Sequence, residues 1–191
     1  MRRGFKAEAE RLAERTRAQM GLRPSERLDL LDLARHLHVE VIAADLLVDR
    51  ARLEELERIQ PRAFSAATFH LPGGRTVAVY NPCNDPARTN SDIGHELAHL
   101  LLGHDVREIQ HLAGYTFFTC NPDQEEEATW LAGCLLLPRS LLLGEAYNGT
   151  SADSIAAKYQ VSEHMARFRL NTSGVLLQAR RARTTRTAGP S

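Results

Sequence analysis

His95-Glu96-Leu97-Ala98-His99 places two imidazoles four residues apart, with a carboxylate directly after the first. On an α-helix, residues four apart differ by about 40° and rise about 6 Å, so both rings fall on one face and can grip a single zinc ion. Glu96 sits about 100° round from His95, beside such an ion rather than on it. That is where a general base must stand to take a proton from water activated by the metal. The composition of the chain gives this pattern about 0.03 chance occurrences. Two histidines and a glutamate decorating a surface helix remain the competing reading until a third ligand is found.

Catalytic zinc takes three protein ligands and keeps one position open. A continuation with Gly seven and His ten positions after the first histidine fails, because Leu102 and Asp105 stand there. His104 falls about 140° off the face of His99 and is a poor ligand on the same straight helix. Glu125, Glu126 and Glu127 lie about thirty residues on, early in the next helix. Glu125 shares a face with Ala128, Thr129 and Ala132, small residues that let this helix approach the first closely. Glu126 and Glu127 point elsewhere and read as a solvated acidic cluster favoured by the helix dipole. Glu125 is therefore the expected third ligand, and Thr129, four residues on, is placed to orient a ligand through its hydroxyl. For oxyanion stabilisation the candidates are His111, Tyr115 and Tyr147, each more readily structural than catalytic.

The elements that must carry these residues are marked by local signals. Asp85-Pro86 opens a helix that runs through both histidines and stops at Gly103. Asn121-Pro122 repeats the start signal for a helix ending before Pro138. Upstream, an amphipathic helix from Phe5 stops at Gly21, a second has Ser25 as its N-cap, and Val39 to Ala43 reads as a short strand. Asp45 to Ile59 reads as a further helix. Phe64 to Leu71 and Thr76 to Tyr80 flank Pro72-Gly73-Gly74-Arg75 as a hairpin. Residues 104–120 form a connection of no clear period. Ser151 to Tyr159 and Ser162 to Leu170 are two short helices, and the polar stretch from Arg180 to Ser191 is expected to be disordered.

Composition sets the frame. A chain of 191 residues, 43% hydrophobic and 25% charged, is a domain-sized globular protein. No apolar run approaches the length needed to span a bilayer, and the basic residues of segment 1–8 have no apolar segment behind them, so a cytoplasmic protein is expected. Cys83, Cys120 and Cys134 are odd in number and widely spaced, which argues against disulfides and against an all-cysteine zinc site. The 24 basic and 24 acidic residues cancel, unlike those of a general polyanion binder.

The segment Ile93-Gly94-His95-Glu96-Leu97-Ala98-His99-Leu100-Leu101-Leu102-Gly103-His104 is followed by Glu125-x-x-Ala128-x-x-Leu131-Ala132 and Leu135-Leu136-Leu137-Pro138. Together these resemble the ImmA/IrrE family of intracellular metallopeptidases, over roughly residues 20–172. The resemblance implies an α+β, zincin-like metallopeptidase core with a small β-sheet over residues 1–148 and a helical, helix-turn-helix-like segment over 149–178, before the tail at 179–191. It implies Zn2+ held by His95, His99 and Glu125, with Glu96 as the base. It further implies a helix-turn-helix transcriptional repressor of a phage, mobile-element or stress regulon as the substrate. Ala98, Thr129 and Leu131 stand where the family commonly has Gly, Asn and Phe; none of these departures removes a ligand.

Residues 151–170 could instead bind DNA, with Ala156 and Val161 as the packing residues of the turn. Against this, the reading helix would begin Ser162-Glu163-His164, an acid where phosphate must lie, and Gln160 replaces the glycine often found in the turn. The second function class is thus a non-catalytic regulatory, DNA-binding or toxin-antitoxin component on the same scaffold, with direct DNA contact the less favoured reading.

Overall fold

The computed structural model describes residues 1–104, 108–112, 115–119 and 121–187; for 108–112, 115–119 and 185–187 only the backbone is described. Cys120 lies outside these residues. The architecture is α+β. Helices α1 (Phe5–Gln19) and α2 (Leu30–His36) lead into β1 (Val39–Ala43), a single 3-10 turn at Ala44–Leu46, and α3 (Arg50–Ile59). Strands β2 (Ala66–His70) and β3 (Thr76–Tyr80) form the expected hairpin, followed by α4 (Pro86–Leu102). Then come β4 (Glu108–Leu112), β5 (Tyr115–Thr119), α5 (Pro122–Leu136), α6 (Arg139–Asn148), α7 (Ala152–Tyr159), α8 (Glu163–Thr172) and α9 (Val175–Thr187).

Strand β3 is the centre of a three-stranded sheet, parallel to β1 and antiparallel to β2. Alternation along β3 gives the sheet its two faces: Ala78 joins the main core, while Val77 and Val79 pack with Ala44 and Leu53 of the α3 side. Thr68 of β2 is paired with Ala78 and so shares the face turned toward the main core.

Helices α4 and α5 form the centre of that core. Asp85 starts α4 by accepting from the N–H groups of Ala87 and Arg88 at 2.9 and 3.3 Å, and Gly103 ends it in the left-handed region at φ 61°. Asn121 starts α5 by accepting from Asp123 N–H at 3.0 Å. Between the helices the contact residues are small: Ala98, Ala128 and Ala132 have no solvent exposure. A Cβ on Gly94 would lie 3.1 Å from the Cδ1 of Leu136, so glycine there lets the end of α5 pass close. Helix α1 lays Phe5, Ala9 and Ala13 into the same core, and Arg17 donates to the carbonyl of Leu135 at 2.7 Å, satisfying an acceptor that the end of α5 leaves open.

Several sequence expectations change. The N-cap of α2 is Asp29, whose carboxylate accepts from Leu31 and Asp32 N–H, rather than Ser25. The helix expected from Asp45 starts at Arg50, because Asp49 caps it and the preceding residues close as a 3-10 turn. Within 104–120 the backbone pairs as the antiparallel hairpin β4–β5, whose short strands lack a clean alternation to announce them. Helix α6 follows Pro138 directly, and its leucine run gave no distinct period. Where a disordered tail was expected, the chain continues as α9 to Thr187; its Val175 and Ala179 are fully buried. Residues 188–191 lie outside the described ones.

Gly133 of α5 faces Arg169, a fully buried side chain that donates to Leu137 O at 3.1 Å and pairs with Glu10 at 2.8 Å. A Cβ at position 133 would stand 2.6 Å from Arg169 Cδ. Alanine gains about 1 kcal/mol of helix propensity, but a buried, anchored arginine cannot yield cheaply. Gly133→Ala is therefore expected to lower the urea-unfolding free energy by about 1–3 kcal/mol; a gain in stability would show that Arg169 moves aside freely.

Candidate metal centre

The facing surfaces of α4 and α5 bring His95, His99 and Glu125 together, one donor atom from each lying within 4.8 Å of the others. His95 Nε2 is 3.1 Å from Glu125 Oε2, His99 Nε2 is 3.6 Å from Glu125 Oε1, and the two Nε2 atoms are 3.0 Å apart. The side chains are 21%, 15% and 31% exposed, so the group is mostly sheltered within the fold and still reached by solvent. Hydrogen bonds from the two imidazoles, against the cost of burial, hold the Glu125 carboxyl well below the usual carboxylate range. Two ring nitrogens and a carboxylate converging in this way match the three-ligand donor set of a catalytic metal site.

The orientation of each ring is supported from behind. Thr129 Oγ1 lies 3.3 Å from His95 Nδ1, one helical turn from Glu125, so the nitrogen of His95 turned away from the metal group has an oxygen partner. His99 Nδ1 lies 3.0 Å from Nδ1 of His104, which is outside the three-donor group but in contact with it. Burial pushes the His104 imidazole below its ordinary range.

Glu96 is not one of the three grouped donors. It is 5% exposed, and the Thr68 hydroxyl on β2 donates to its Oε2 at 2.9 Å. One turn earlier on α4, Asp92 lies beside Arg88, with Nε 3.4 Å from Oδ2, while Arg88 Nη2 donates to Ser65 Oγ at 2.9 Å. Burial raises the Asp92 carboxyl and Arg88 opposes the rise.

The acidic run divides in a way the sequence reading did not anticipate. Glu126 is 57% exposed, as a solvated residue should be. Glu127 is buried: it accepts from the backbone N–H of Arg2 at 3.0 Å and faces His104 Nε2 at 3.6 Å. Thr68, His104 and Glu127 were thus missed as participants. Thr68 and Arg2 are remote in sequence and carried no signal. Glu127 could have been found only by knowing what packs against the far side of α5. Of the oxyanion candidates, the side chains of His111 and Tyr115 lie outside the described residues, and Tyr147 is 44% exposed on α6.

Replacing Thr129 by valine keeps the shape and removes the oxygen at His95 Nδ1. Affinity for divalent metal, read by competition with a chromophoric chelator, is expected to fall about tenfold or more. An unchanged affinity would show that His95 is oriented by packing alone.

No helix among the described residues is long and apolar enough to cross a membrane. No curated protein and no solved structure matches the chain. The family described as Peptidase_M78, the IrrE N-terminal-like domain, matches residues 54–171, a stretch that starts within α3 and includes α4, α5 and every member of the three-donor group. The match covers well over half of the sequence, and the chain belongs to this ImmA/IrrE family of peptidases.

Proposed function

We propose that the protein is a zinc-dependent endopeptidase of the cell interior that cuts a helix-turn-helix transcriptional repressor and so relieves repression of a phage, mobile-element or stress regulon. The observation that carries the reading is the convergence of His95, His99 and Glu125 with Glu96 alongside on the same helix. A zinc ion held by the three donors would supply Lewis-acid activation of water and polarise the scissile carbonyl.

The chain's own groups supply the rest. Glu96, kept in place by the Thr68 hydroxyl, takes the proton from the attacking water and returns it to the leaving amine. Thr68 belongs to β2, which pairs only with β3 among the described residues and leaves its other edge open. An extended polypeptide pairing with that edge would lie on the strand that steadies the base, an arrangement suited to a peptide substrate.

The DNA-binding alternative is less well supported by the α7–α8 pair. Gln160 takes the left-handed turn position at φ 53°, and its carbonyl accepts from Asn90 Nδ2 at 3.0 Å. Ser162 N–H donates to Ser91 Oγ at 2.9 Å. The turn and the start of α8 are thereby fastened to α4, and Glu163, at the end that would meet phosphate, pairs with Arg167.

Elemental analysis is expected to give about one zinc per chain, lost in His99→Ala and Glu125→Gln. Glu96→Gln is expected to keep the metal yet lower cleavage of a helix-turn-helix repressor encoded beside the gene by about 10²–10⁴-fold. Full proteolysis by Glu96→Gln would sink the mechanism, and tight repressor binding without a cut site would favour the non-catalytic reading.

A further inference from the structure

We propose that His104 and Glu127 are positioning residues for His99, forming a chain of polar contacts that runs from the buried side of α5 to the metal-facing edge of the ring. The inference rests on the zinc reading above.

His99 turns Nε2 toward His95 and Glu125 and leaves Nδ1 pointing away, 3.0 Å from His104 Nδ1. Two imidazole nitrogens at that separation share one proton between them. A ring that keeps its Nε2 lone pair for a metal must carry its hydrogen on Nδ1, so His99 donates and His104 accepts. A neutral His104 accepting at Nδ1 has its own hydrogen on Nε2, and that atom faces Glu127 Oε2 at 3.6 Å. Glu127 is in turn held by Arg2, whose backbone N–H donates to Oε1 at 3.0 Å and whose Nε lies 3.4 Å away. The His104 and Glu127 side chains are 7% and 9% exposed, so bulk water is a poor substitute for either. Glu127 thus selects the tautomer of His104, and His104 selects the tautomer and ring angle of His99.

The helix end makes this possible. On a straight helix His104 would face about 140° away from His99. The left-handed turn at Gly103 folds the chain back, with His104 N–H donating to the His99 carbonyl at 3.1 Å, and brings the second ring behind the first. A ring placed this way supports its neighbour without joining the donor group.

The test uses the full chain with His104→Phe, His104→Asn, Glu127→Leu and His99→Ala, each checked for folding by circular dichroism. Zinc dissociation is read by chelator competition and site geometry by the visible absorption of the Co2+ form. His104→Phe is expected to weaken zinc about 10–100-fold and shift the cobalt bands, whereas His104→Asn, whose amide can both accept and donate, regains most of the loss. Glu127→Leu is expected to weaken zinc several-fold, and it decides the matter if His104→Phe fails to fold. Zinc affinity within twofold of wild type in His104→Phe, or in Glu127→Leu where that variant decides, overturns the proposal. So does a loss in His104→Phe as complete as that in His99→Ala, since His104 would then be a ligand. A wild-type chain that binds no zinc overturns the metallopeptidase reading as well, while an unaffected His104→Phe beside a metal-free His99→Ala removes this inference alone.

Discussion

The close approach of α4 and α5 is the constraint on which the rest depends. A carboxylate on one helix must reach two imidazoles on the other at about 3 to 3.6 Å, and side chains this short allow it only if the backbones nearly touch. Ala98, Ala128, Ala132 and Gly94 make room for that approach. The same packing sets three residues within about one turn of α5 to work: Glu125 with the donors, Glu127 behind His104, and Thr129 behind His95. Every polar partner seen behind the two rings therefore belongs to α5 or leads to it. The rest of the protein holds α5 in place: α1 along its length, Arg17 on the Leu135 carbonyl and Arg169 on that of Leu137 just beyond.

That support reaches outside the matched family region. Residues 54–171 contain the donor group, yet α1 lies entirely before them and packs on α5 through Phe5, Ala9 and Ala13. Arg2 holds Glu127, and Glu10 pairs with the fully buried Arg169. The N-terminal helix is thus part of the foundation of the three-donor group.

What could be read in the sequence follows from how local its cause is. The α4 and α5 starts were legible because Asp85-Pro86 and Asn121-Pro122 act within one turn of themselves, and the β2–β3 hairpin because Gly73 and Gly74 adopt positive φ at its tip. Glu125 was separable from its two neighbours because helical spacing ties it to small residues. The misses share a different origin. Ser25 looked like a cap, but capping depends on which residue's backbone is extended, and that was Asp29. The β4–β5 pair and α6 are set by tertiary context rather than by periodicity. Glu127 looked like surface charge because its burial comes from Arg2 and His104, 125 and 23 positions away in the chain.

The turn at Gly103 bears on how such sequences can vary. Between His99 and His104 the helix geometry, the cap and the returning ring are locked to one count of residues, so an insertion or deletion of a single residue there would rotate the second imidazole off the first. The described stretches that follow His104 keep registers of their own, the β4–β5 pairing and the Asn121 cap of α5, and neither is tied to the spacing of the two rings. Chain length in this region is consequently rigid for five residues, and relatives that preserve the arrangement should differ in length after the Gly-His pair and not within it.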